Sequence, residues 1–258
     1  MVIARISRKR QMTEFFSFRT ERARLHATPL YSHPTARLWQ KSLSIGSQFC
    51  EAVVGSGLLT WEQMVSAASR YCLGATRHRG VIFWQIDHEG RVHDGKVMYY
   101  QADCHRDKSR QAHPTWVSAL LRRRSPLAAH PSPQTSHCLF GLHLLEPGRP
   151  CAIVESEKTA FVLSERFPDW HWLATGGLGE VQTDKFRPLR GHQVVMFPDT
   201  DTDGIAYRRW SEAADLVMHA TFWEDSPPIR VSHMLEQRAT AEQKQQKIDL
   251  LDFLLASP

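Results

Sequence analysis

Carboxylates placed where apolar runs end are the residues of this sequence best suited to chemistry. Glu155 closes the short run CAIVE, and Asp199, Asp201 and Asp203 follow the run QVVMF in FPDTDTDG. In a parallel α/β sheet, reactive groups gather outside the carboxyl ends of the strands, so these acids would share one rim. Crowded acids repel each other, which makes a hard divalent cation their natural counter-charge. Mg2+ is the expected ion, with Mn2+ as the alternative. Mg2+ keeps several waters and usually takes one or two carboxylates plus substrate phosphates, which points to phosphoryl chemistry. Each Asp taken singly also fits an Asx turn or a helix N-cap, and Glu155 alone fits an acid beside the positive start of a helix.

Other residues would complete such a site. Lys158 falls in the first turn of the helix after Glu155, where it would meet a phosphate or lie solvated on the helix face. In Thr175-Gly176-Gly177 the glycines either let backbone N–H groups approach a ligand closely or only make a turn. Arg77, Arg79, Arg91, Lys96 and the run Arg122 to Arg124 could track a nucleic-acid backbone. Trp84, Tyr99 and Trp116 would then serve for stacking or belong to the core.

Spacing removes several rival chemistries. A calcium loop starting at Asp199 needs Glu at its twelfth position, where Trp210 stands. Cys50, Cys72, Cys104, Cys138 and Cys151 form an odd set without a CxxC pair. That pattern implies free buried thiols in a reducing compartment, and no zinc site is expected. The motif GxxxxGK[ST] is missing, which argues against a fused P-loop motor.

Hydrophobic periodicity supplies the elements that must hold these groups. Residues 48–71 suit two short helices broken at Gly55 to Gly57, with Thr60 as N-cap of the second. Val81 to Trp84, Val92 and Val97 to Tyr99, separated by turn-prone pieces, read as an antiparallel meander. A helix is expected over His113 to Arg124. Residues 125–137 carry Pro126, Pro131 and Pro133 and read as a linker. Beyond Pro150, strands at 151–155, 171–175, 193–197 and 229–232 alternate with helices at 157–167 and about 205–220, with a weak helical stretch to Leu189. A terminal helix is expected over Ala241 to Leu255. This alternation predicts an α/β parallel sheet flanked by helices, preceded by a small mixed helical and antiparallel β region.

The 258 residues carry a formal charge of +5, and its distribution is uneven. Residues 1–46 hold +7, residues 47–149 hold +4 and residues 150–258 hold −6. A basic excess fits a nucleic-acid partner. No run reaches the roughly 18 apolar residues of a membrane span, so no membrane partner is expected. Four segments follow: a basic arm at 1–46, expected to be flexible, a helical and β-meander region at 47–125, a connecting segment at 126–149, and the α/β domain at 150–258.

CAIVESEKTA, WLATGG and VVMFPDTDTDG together resemble the Toprim domain shared by bacterial-type primases, topoisomerases and some nucleases. There, a strand ending in Glu, a strand leading into a small-residue loop, and a strand ending in D-x-D occur in this order. The resemblance covers residues 150 to about 235. It implies that Glu155 acts as general acid or base, that Asp199 and Asp201 hold the metal, and that Gly204 follows as in primases. Asp203 has no fixed counterpart, and Ser156 stands where Gly is usual. GVIFWQIDHEGRVHDGKVMYY is similar to the β-rich piece ahead of Toprim in primases, with Arg91 and Lys96 as the nucleic-acid-facing positions. YCLGATRHRGVIFWQID, LFGLHLL and IVESEKTA look most like an uncharacterised Toprim-containing family of bacterial mobile elements.

The function so implied is Mg2+-dependent nucleotidyl transfer from nucleoside triphosphates on single-stranded DNA, in mobile-element replication in the bacterial cytoplasm. The zinc ribbon usual in primases is not found in this sequence, which implies either that a partner, a zinc-ribbon protein or a replicative helicase, supplies template selection, or that the basic arm at residues 1–35 is what remains of a lost amino-terminal module. A metal-dependent nuclease using the same acids and a non-catalytic DNA-binding accessory protein are the alternatives.

Overall fold

The computed structural model describes residues 34–124 and 137–256. Most of the basic arm and of the proline-rich stretch lies outside these residues. Among the described residues, no helix is long and apolar enough to cross a membrane.

Helix α1 (Pro34–Ser42) leads into α2 (Gln48–Gly55), where the Ser47 hydroxyl accepts the Cys50 N–H. The chain turns through Gly57 at φ +73 and enters α3 (Trp61–Arg70). There Thr60 and Gln63 exchange side-chain and backbone hydrogen bonds in the capping box that the sequence leads one to expect.

An antiparallel sheet follows in the order β1 (Gly74–Ala75), β2 (Val81–Ile86), β3 (Val92–Met98), β4 (Thr115–Trp116). All of β2 is buried, because each of its faces meets a core. Val81 and Phe83 join the main cluster, while Ile82, Trp84 and Ile86 pack with Trp39, Val97 and Val117. The helix expected from His113 begins only at Val117, as α4 (Val117–Arg124), because Trp116 and Thr115 pair with Lys96 and Val97 as an edge strand.

The second sheet is parallel and ordered β6-β5-β7-β8, with β5 (Cys151–Val154), β6 (His171–Ala174), β7 (Val194–Met196) and β8 (Arg230–Val231). Helix α5 (Glu157–Arg166) joins β5 to β6, and α6 (Ile205–Met218) follows β7. Between β6 and β7 the weak helical stretch consists of two 3-10 segments, Leu178–Glu180 and Thr183–Leu189. The chain leaves β5 toward one side to reach β6, then passes to the other side to build β7. Strand order therefore reverses between β5 and β7, which makes a topological switch point.

Two expectations need correction. The part of the connecting segment from Cys138 to Leu142 is core, with Cys138, Leu139, Phe140 and Leu142 buried. Phe140 exchanges two backbone hydrogen bonds of 2.9 and 3.2 Å with Ala174 on the open edge of β6. The terminal helix is also not continuous. After α7 (Met234–Arg238) the chain forms α8 (Ala241–Gln246), breaks at Lys247 with φ +55, and resumes as α9 (Leu250–Ala256). Asp249 accepts the Asp252 N–H at 2.8 Å and so starts the last helix afresh.

The largest core belongs to both halves. Phe49 packs at 5.3 Å on both Phe83 of β2 and Phe161 of α5, and Tyr71 stacks on Phe140 at 4.9 Å.

Candidate functional site

The switch point carries the acids. Glu155 directly follows β5, and its carbonyl accepts the Gly176 N–H at 2.9 Å. Burial pushes the Glu155 carboxyl above its ordinary value. A hydrogen bond from the Leu178 N–H and the charge of Lys96 oppose this, while Glu157 and Asp249 add to it. Asp199 lies past β7, behind Pro198. Burial raises its carboxyl well above the ordinary range, and repulsion from Glu155, Asp249 and Asp252 raises it further. The charge of Lys158 opposes this rise. The charge of Glu155, 44 positions earlier in the sequence, thus reaches Asp199.

The neighbouring aspartates face elsewhere. One Asp201 carboxylate oxygen accepts the N–H groups of Asp203 and Ile205 at 2.9 Å, and the other accepts that of Ala206 at 2.8 Å. Although burial opposes its charge, these bonds hold its carboxyl below the ordinary range. Asp201 thus makes an Asx turn, the other alternative noted for each aspartate, and its carboxylate also satisfies the first N–H groups of α6 from three positions before the N-cap Gly204. Asp203 is exposed, and its carbonyl accepts Arg208 at 2.6 Å.

The expected cations are also engaged. Lys96 is buried, donates to both carboxylate oxygens of Glu157 at 3.0 Å, and donates to the Gly176 carbonyl at 2.7 Å. It ties the antiparallel sheet to the glycine loop instead of presenting its charge outward. Gly176 adopts φ +89, and a Cβ there would stand 3.1 Å from Glu157 Oε1. Gly177 is at φ +152. Arg91 pairs with Asp87 at 2.7 Å and with Glu89, locking the β2–β3 turn away from the cleft lining. Lys158 stands in the first turn of α5, 3.7 Å from both Asp249 and Asp252.

A cleft of about 370 Å³ lies between the two sheets. Glu155, Lys158, Gly176 and Gly177 line one side together with Asp249. Met98, Tyr100, Pro114 and Arg106 line the other. Sequence reasoning missed Asp249, Asp252 and Arg106. The first two lie in KIDLLDF, where an Asp before an apolar run signals a helix start but was absorbed into a longer helix. Arg106 belongs to the polar, basic stretch CHRDKSR, whose composition was the available signal.

The donor set fits a hard divalent ion in part. Asp199 is repelled by Glu155, Asp249 and Asp252 and attracted by Lys158, and a cation that keeps most of its waters would relieve the repulsion that remains. Asp201 fits poorly, since three N–H groups already fill its carboxylate. Among the described residues, no group of three or more His, Cys, Asp or Glu forms a ready-made cage.

No curated protein matches the chain. The family model described as Domain of unknown function (DUF6371) matches residues 47–200, from α2 to just past Asp199. The chain belongs to that family.

Proposed function

We propose that this member of the DUF6371 family is a Mg2+-dependent, primase-like nucleotidyltransferase that acts on single-stranded DNA with nucleoside triphosphates. The observation that carries the reading is the placement of Glu155 after β5 and Asp199 after β7, at the carboxyl-end switch point of a parallel sheet. Ligands of open α/β sheets bind in that crevice. The Toprim resemblance of the same segments, and a part in copying a mobile element, belong to the proposal.

Glu155 and Asp199 would hold the cation, which when bound would offset phosphate charge during an in-line displacement. The start of α5 lines the cleft at Ser156 and Lys158, and the positive end of its dipole favours a phosphate there. Burial leaves Glu155 with a raised proton affinity, suited to taking the proton of an attacking hydroxyl. The apolar wall of Met98, Tyr100 and Pro114 suits a base or sugar face, and the cleft volume lies in the range of small-molecule sites.

The test is incubation of the full chain with a single-stranded template, labelled nucleoside triphosphates and Mg2+. Labelled product that grows with the wild type and is lost in Asp199→Asn supports the reading. Shortening of labelled DNA without synthesis would instead identify a nuclease. Salt-sensitive DNA binding indifferent to Mg2+, with neither activity, would identify an accessory protein.

A further inference from the structure

The two walls of the cleft differ in charge. Glu155, Glu157 and Asp249 line one, where Lys96 pairs with Glu157 and Lys158 with Asp249. The lining residues of the other, Met98, Tyr100, Cys104, His105, Arg106 and Pro114, include no carboxylate. The loop between β3 and β4 carries this second wall outward, and its guanidinium groups are held by neutral acceptors. Arg106 donates to the Ala112 carbonyl at 2.7 Å, and its Nε has no hydrogen-bond partner among the described residues. Arg110 donates to the Gln48 side-chain oxygen at 2.9 Å and lies 4.0 Å over the Tyr99 ring. The carboxylates of the loop make its turns: Asp103 accepts the His105 N–H at 3.0 Å, and Asp107 accepts the Ser109 hydroxyl at 2.6 Å and the Arg110 N–H at 3.1 Å. A bond of 2.6 Å from Arg110 to the His78 carbonyl fastens this loop to the β1–β2 turn. Arg77 on that turn and Lys108 on the loop are exposed. Arg79, at φ +64, occupies a left-handed position where glycine or asparagine is the ordinary choice, and it pairs with Glu51.

From this we infer that a single strand of DNA reaches the cleft across the β3–β4 loop and the β1–β2 turn, with Arg77, Arg106, Lys108 and Arg110 on its phosphates. Arg91 and Lys96 do not serve it, because acids already hold both. The inference rests on the proposed single-stranded DNA partner and names the surface that takes it, without depending on the chemistry in the cleft. Salt screens exposed charges beyond about 8–10 Å, so a polyanion is steered by the charges it passes closely. One wall repels it with three carboxylates, and the other leads it along cations. A cleft of about 370 Å³ holds a nucleotide and not a duplex, so the strand that places a base against Met98, Tyr100 and Pro114 is unpaired.

Fluorescence anisotropy of a labelled oligothymidylate with the full chain, repeated across salt concentrations, tests this. Arg77→Gln with Lys108→Gln removes two phosphate contacts. The slope of log affinity against log salt should become shallower by about 1.4, at about 0.7 per contact, and binding near about 0.1 M salt should weaken about 10- to 30-fold. Arg209→Gln with Arg230→Gln removes two exposed cations from α6 and β8 and should change neither quantity. If circular dichroism shows the first pair unfolded, Lys108→Gln alone takes its place, with about half the change in slope. An unchanged slope in the folded variant, or an equal loss in the α6 and β8 pair, would overturn the inference whatever the outcome for primer synthesis. Tighter binding of the same oligonucleotide as a duplex would overturn it too. Binding that depends on Arg77 and Lys108 without primer synthesis would leave the inference standing and remove the nucleotidyl-transfer reading. No binding of the strand by the wild type would remove both.

Discussion

Two aspartates separated by one residue have opposite electrostatic fates here, and the difference is a matter of donors. Asp201 accepts three backbone N–H groups, whereas Asp199 is repelled by Glu155, Asp249 and Asp252 with Lys158 opposing them. Asp201→Ala should therefore cost about 1–2 kcal/mol in urea denaturation, on the scale of a lost side chain that caps helix N–H groups. Asp199→Asn should leave stability in metal-free buffer unchanged or raised, because it removes a repelled buried charge, and should abolish Mn2+ binding. His171 gives a separate pH signature. Its ring accepts the Glu146 N–H at 2.8 Å, and burial together with the charge of Arg149 lowers its pKa to about 4. The unfolded chain takes up that proton near pH 6.5, so the unfolded state binds more protons between the two values. This contribution is complete above about pH 6.5, declines as pH falls, and levels off below about 4. Urea midpoints across that window should drop for the wild type and drop less for His171→Gln.

At the scale of elements, the glycine loop and the start of α5 are held by one buried ion pair, Lys96 with Glu157. Removing one partner leaves an uncompensated charge in the interior, so Lys96→Met or Glu157→Gln should cost about 3–5 kcal/mol. Lys96→Met combined with Glu157→Leu should recover much of that loss in the same denaturation measurement. The Gly176 carbonyl also loses a donor when Lys96 is replaced, so part of the cost should persist. The break at Lys247 is the other decisive local feature. A continuous helix from 241 to 255 would not begin a new first turn at Leu250, and Asp249 would lose its capping role.

Across the whole molecule, the two sheets are not separate units, since Phe49, Phe83, Phe140 and Phe161 belong to one cluster. Calorimetry should show a single unfolding transition, with coincident curves by tryptophan fluorescence and circular dichroism. Phe161→Ala should lower that one midpoint, at a cost of about 3–5 kcal/mol, without resolving a second transition. Two separable transitions would mean that the shared core does not couple the halves. The cleft lies between them, so its width depends on the same packing.

Reading the sequence alone was sufficient for features whose causes are close along the chain. The capping box at Thr60, the wholly apolar β2, the alternation beyond Pro150 and the acids after β5 and β7 follow from caps and periodicity within a few residues. Tertiary structure alone decided which of those acids face one another, that Lys96 is consumed by Glu157, that the stretch around Phe140 joins a sheet edge, and that Asp249 reaches α5. Lys96 and Glu157 are 61 residues apart, and Thr159 and Asp249 are 90 apart. Such contacts carry no local signature, because the energy that selects them is the burial and pairing of charge in a folded interior.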